Sequence, residues 1–172
     1  MTTRILSAAL LLAFAAAASA QVPEPELIER TARAVETYPR YTVFDHVAAS
    51  IDGGVVTLTG KVTMPIKKDE LGKRIEGIAG AGNVRNEIDV LPVSIGDERI
   101  RQRTSRAIYG NAAFWGYAAR PNPPIHIIVE HGRVTLTGVV STEVDRALAQ
   151  SLATGLGEFS VTNALRVERA GR

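Results

Sequence analysis

Val56-Thr57-Leu58-Thr59-Gly60 recurs, residue for residue, as Val134-Thr135-Leu136-Thr137-Gly138, 78 positions later. Each copy alternates apolar and β-branched polar residues, the period of a strand with one buried and one solvated face. A glycine stands two positions ahead of each, Gly54 and Gly132. Asp52-Gly53-Gly54 reads as a tight hairpin turn, because glycine tolerates positive φ. Gly60 and Gly138 end the repeated segment, where a side chain is expected to meet the neighbouring helix.

Working outward, the duplication takes in most of the chain. Arg30-Thr31-Ala32-Arg33-Ala34-Val35 matches Arg103-Thr104-Ser105-Arg106-Ala107-Ile108 at an offset of 73, and Val84 to Val90 matches Val161 to Val167 at 77. The second copy therefore carries an insertion of about five residues after its first helix, and the first an extra residue near Met64-Pro65. Repeats of this kind mean one structural unit written twice.

Each unit reads helix, strand, strand, helix, strand. Leu27, Ile28, Thr31, Ala34 and Val35 fall at helical spacing behind Pro25, which suits a first helical turn. Val47, Ala49 and Ile51 alternate ahead of the turn. Leu71, Ile75 and Ile78 mark the second helix, and Val84, Ile88 and Val90 one face of the last strand. Copy two follows with Ile100, Thr104, Ala107 and Ile108, then Ile125, Ile127 and Val129, then Leu148, Leu152 and Leu156, then Val161, Leu165 and Val167. An amphipathic helix cannot bury its own face, so the expected fold class is α+β. Two tandem α-β-β-α-β units, 22–92 and 95–168, each pack two helices on one face of a three-stranded sheet.

These residues resemble the BON domain (bacterial OsmY and nodulation), whose pattern is G-x-V-x-L-x-G, a helix, then G-V-x-x-V-x-N-x-[LI]-x-V. Gly54 to Gly60 and Gly132 to Gly138 fit the first part; Val84-x-Asn86-x-Ile88-x-Val90 and Val161-x-Asn163-x-Leu165-x-Val167 fit the end of the second. Gly80 and Gly157 take the glycine place, but Ala81 and Glu158 stand where valine is usual. The resemblance implies an envelope protein of the OsmY type, proposed binding to phospholipid surfaces, and no catalytic motif. Asn86 and Asn163 share a strand phase with apolar residues, so their amides are expected to satisfy backbone groups.

The first twenty residues read as a leader. Arg4 precedes a nearly unbroken apolar run from Ile5 to Phe14, and Ala18-Ser19-Ala20 fits a small-x-small cleavage site. That run is shorter than the roughly 20 residues a membrane span needs, and no later run is longer. The expected location is the periplasm or outside the cell. The absence of cysteine rules out a lipoprotein, disulfides and thiolate chemistry. Residues 22–92 hold 9 basic and 11 acidic side chains, net −2; residues 93–172 hold 10 and 7, net +3, and all ten are arginines. This asymmetry suggests a division of labour between the copies.

Signals for catalysis are thin: no G-x-S-x-G elbow, H-E-x-x-H pair or phosphate-cradling loop occurs. His126 lies out of phase with Ile125 and Ile127, His131 falls in the second hairpin turn, and His46 aligns with Pro124. All three are expected at the surface, with no metal site and no cofactor.

The second copy departs from the first in one informative stretch. Asp97 reads as a capping acid, and Arg99, Arg103 and Arg106 at i, i+4 and i+7 form a stripe beside the apolar face. Then comes Phe114-Trp115-Gly116-Tyr117, with Arg120 close behind and the chain's one tryptophan. Arginine forks suit phosphate, and tryptophan and tyrosine favour headgroup depth. Those seven side chains are therefore candidates for peripheral binding to an anionic phospholipid surface. Alternatively, the arginines form a solvated face and the aromatics pack over the helix end or between domains, leaving a protein-interaction or chaperone-like scaffold module for envelope proteins. Nucleic acid would satisfy the same arginines, but export disfavours it.

Overall fold

Hydrophobic periodicity and turn glycines translate directly into two α-β-β-α-β units. The computed structural model describes residues 23–79 and 83–168, so the leader, Gly80 and Ala81 lie outside the described residues. The first unit comprises α1 (Glu24–Glu36), β1 (His46–Asp52), β2 (Val55–Val62), α2 (Pro65–Ala79) and β3 (Val84–Val90). The second comprises α3 (Ile95–Tyr109), a 3-10 turn (Ala112–Phe114), α4 (Trp115–Ala118), β4 (Ile125–Glu130), β5 (Arg133–Val140), α5 (Glu143–Ala153) and β6 (Ser160–Val167). The turn and α4 contain the insertion that the changing offset reveals.

Each sheet places the repeated strand in its centre, in the orders β1-β2-β3 and β4-β5-β6. The hairpin pair is antiparallel and the third strand adds in parallel, with Leu58 opposite Asn86 and Leu136 opposite Asn163. Burial follows the period of two: Val56, Leu58 and Val62 are inaccessible in the first sheet, and Val134, Leu136 and Val140 in the second. The two asparagines do what their phase implies. Asn86 Nδ2 donates to Lys68 O at 2.8 Å, and Asn163 Nδ2 to Arg146 O at 2.8 Å, so each ties the last strand to the helix before it.

Several details differ from expectation. Gly60 and Gly138 have φ of 121° and 113°, and a Cβ there would meet the carbonyl oxygens of His46 and Pro124, at 2.1 and 1.9 Å. The obstacle is thus the chain entering the neighbouring strand, not a helix. In α5 the fully buried face is Ala149 and Ala153, with Leu148 and Leu152 partly buried and Leu156 beyond the helix end. Ile28 on α1 is 49% exposed, although it falls in the apolar period.

The first core also contains an ion pair that hydrophobic periodicity hides. Asp45, inaccessible to solvent, takes a 2.6 Å hydrogen bond from Lys67 Nζ and four more from the amides and hydroxyls of Thr42 and Thr63. Burial alone would raise the Asp45 pKa, but the Lys67 ammonium and these donors outweigh it and hold it below the usual value. The second unit has Pro123 and Val144 in these places.

Candidate functional site

Helix α3 starts at Ser94, whose hydroxyl accepts from Asp97 N at 3.2 Å. Ser94, not Asp97, is the capping side chain. The Asp97 carboxylate instead accepts from His131 N and Gly132 N at 2.9 and 2.8 Å, clamping the β4–β5 hairpin onto the helix. This contact explains how His131, the one non-glycine with positive φ among the described residues, is held in its turn.

Ile100, Thr104 and Ile108 bury the inner face of α3, and Arg99, Arg103 and Arg106 stand exposed on its outer side. Together with Glu98 and Gln102 they line a shallow depression of about 350 Å³. Arg103 donates to Leu156 O at 3.1 Å, and none of the three pairs with a carboxylate among the described residues. The stripe has an apolar start that sequence reasoning did not single out. Ile95 is 74% exposed one helical turn before Arg99, and Phe159 is 88% exposed beside the Gly132 hairpin turn.

The aromatic segment divides. Phe114 is inaccessible, and Tyr117 is buried with its hydroxyl donating to Asp145 Oδ2 at 2.9 Å and accepting from Ser141 N at 2.7 Å. Both belong to the second core, so the structure removes them from the surface candidates. Trp115, 64% exposed, points away from that core. Arg120 lies over the Tyr117 ring at 5.4 Å and is exposed.

Two of the three histidines are not at the surface. His126 does leave the outer face of its sheet, but Tyr41 and His46 of the first unit cover it, with ring centroids 5.3 and 5.7 Å away. Burial, then the His46 ring, lowers the His126 pKa to about 4; burial, then Arg166, lowers that of His46. Phe44 packs on the second core, Val43 O accepts from Ile127 N at 2.6 Å, and Lys61 pairs with Glu130. The segment ahead of β1 thus joins the two units, leaving a cleft of about 680 Å³ beside it. A fold period says nothing about what a neighbouring domain will cover, and so these contacts escape a sequence reading.

The BON domain family model matches residues 40–92 and 97–169. The chain belongs to the BON domain family. The first match begins after α1, and the second within α3, so the arginine stripe lies inside a matched BON unit. No curated protein shows significant similarity to the chain. Among solved structures, the C-terminal domain of CdsD, a type III secretion structural protein of Chlamydia trachomatis, is similar at 14% identity and a TM-score of 0.35, covering 86% of this chain and 68% of that one. A second CdsD structure gives 15%, 0.29, 84% and 94%. Neither likeness bears on the function of this chain. Among the described residues no helix is long and apolar enough to cross a membrane.

Proposed function

We propose that this tandem BON protein is a non-enzymatic, exported envelope component that docks peripherally on anionic phospholipid surfaces through its second domain. The observation that carries this reading is the outer side of α3: three arginines without acidic partners among the described residues, with exposed Ile95 at the head of the stripe. Guanidinium forks give bidentate hydrogen bonds to phosphate, and the weak hydration of arginine suits an interface. Exposed Trp115 and Phe159 are the apolar side chains that would enter the headgroup layer. Helix α1 supports the contrast, because Arg30 is already paired with Glu26 at 2.5 Å and Glu24 and Glu29 add acidic charge.

The affinity should be modest, since three arginines near a surface contribute roughly 1 kcal/mol each and fall away with screening. Co-sedimentation with vesicles of neutral lipid, and of the same lipid doped with an anionic phospholipid, tests the proposal. Binding only to the doped vesicles is expected; equal recovery from both would remove the electrostatic basis of the reading.

A further inference from the structure

The two repeats treat the outer edge of their first strand in opposite ways. In an antiparallel edge strand every second residue turns its N–H and C=O away from the sheet. In β4 these residues are Ile125, Ile127 and Val129, and side chains or a neighbouring loop take most of their groups. Tyr109 Oη donates to Ile125 O at 2.5 Å and accepts from Ile125 N at 3.2 Å. Val43 O accepts from Ile127 N, and Arg101 Nη2 donates to Val129 O at 2.8 Å. Four of the six outward groups of these residues are thus taken.

The matching residues of β1 are Val47, Ala49 and Ile51. Val47 N donates to Tyr41 Oη at 3.0 Å, which shows that this parity faces outward. No group among the described residues bonds the amide of Ala49 or of Ile51, or the carbonyls of this set. The substitution responsible is visible in the repeat. Leu27 aligns with Ile100 and Thr31 with Thr104, so Ile28 stands where the second domain has its sealing Arg101. Ile28 is a half-exposed apolar side chain on the flank of α1, and with Ala32 it forms one wall of the cleft whose other lining includes residues 46–49 of β1.

An open edge strand beside a helix is a template for an added strand. We propose that the groove between α1 and β1 takes an extended peptide from a partner protein by strand addition, with small or apolar side chains against Ile28 and Ala32. Arg120 and Arg166 line the cleft against one carboxylate, Glu36. That balance favours a peptide carrying an acidic group or a free carboxyl end at this side. A second copy is a poorer occupant, because its own β1 lies in an equivalent cleft and a cleft of about 680 Å³ admits a strand rather than a domain. The peptide would pair with β1 of the first domain, in a cleft whose far side belongs to the second domain, and none of the α3 arginines of the lipid-docking proposal takes part.

The test begins with amide hydrogen exchange on the whole chain. Ala49 and Ile51 are expected to exchange fast and Ile127 slowly; slow exchange at Ala49 in the free protein would mean the edge is already covered and would overturn the proposal. A random library of short peptides with free carboxyl ends is then selected on the protein. Binders are expected to slow exchange at Ala49 and Ile51, and to weaken by about tenfold or more when alternate peptide amides are N-methylated, as loss of one or two hydrogen bonds implies. Ile28→Arg, which restores the sealing residue of the other repeat, and Ala49→Pro, which removes an outward donor at an edge position, are each expected to cause a similar loss with an unchanged circular dichroism spectrum. Should either variant fold poorly, N-methylation and exchange decide alone. No binders, binders indifferent to N-methylation, or protection of Ala49 that rises with protein concentration without peptide would each overturn it, the last in favour of a second copy.

Discussion

The imidazoles of His46 and His126, one from each repeat, lie with centroids 5.7 Å apart and are held neutral where the two domains meet. His126 also faces Tyr41, and the Asp45 carboxylate and the carbonyls of Thr42 and Asp45 pull its pKa upward; burial and His46 prevail, and Arg166 acts on His46 in the same downward direction. Because the unfolded chain protonates a histidine that the folded chain keeps neutral, stability is complete above about pH 6.5 and falls as pH drops towards 4. A shift from 6.5 to about 4 corresponds to an effect on the order of 3 kcal/mol for His126. Denaturant melts between pH 7 and 4 are expected to show this loss, and His126→Phe to reduce it. Identical pH slopes for the two proteins would show that the interface does not hold His126 neutral.

Lys67→Met should destabilise the first domain by about 3 kcal/mol or more, since it leaves the Asp45 carboxylate buried without its counter-charge. Val144→Met, the corresponding change in the second domain, occurs at a residue 75% exposed and is expected to change stability by no more than about 0.5 kcal/mol. Thermal melts of the two variants give the comparison; equal, small shifts would mean that Asp45 draws its stabilisation from the threonines alone.

Even alanine should be badly tolerated at Gly60 or Gly138. Each has a positive φ, and each Cβ would press on a backbone carbonyl that cannot rotate away. A loss of about 2 kcal/mol or more is expected for either substitution. Unchanged melting temperatures would place the repeated glycines outside the packing of the hairpin.

Much of this architecture is legible in the sequence because the repeat states it twice. Leu58 and Leu136, or Asn86 and Asn163, can each be placed by reference to the other. Residues without a counterpart are harder. Asp45 and Lys67 look like surface charges until the fold brings them together, since they are 22 positions apart and lie on no apolar period. His126 has the phase of an exposed residue, and Tyr41 and His46 of the other unit cover it. Within the insertion, Phe114 and Tyr117 form core while Trp115 does not; a four-residue helix is too short for periodicity to separate them. The arginine stripe was readable because α3 is long and its inner face is marked by Ile100, Thr104 and Ile108. Phe159 gives no signal in the sequence, as a lone aromatic in a loop carries no pattern.

If α3 of the second domain meets lipid phosphate, its arginines should carry the binding, which a comparison of wild type with Arg99→Gln/Arg103→Gln/Arg106→Gln on anionic vesicles across a salt series tests. Wild-type binding is expected to fall as salt rises, because exposed charges are screened over about 8 Å at physiological ionic strength. The triple variant should bind more weakly and with a flatter salt dependence, and the blue shift of Trp115 fluorescence expected for wild type should be smaller in it. Arg30→Gln/Arg33→Gln in the first domain should leave binding nearly unchanged. Wild type and triple variant binding alike at every salt concentration, with no Trp115 shift in either, would show that α3 does not meet lipid phosphate.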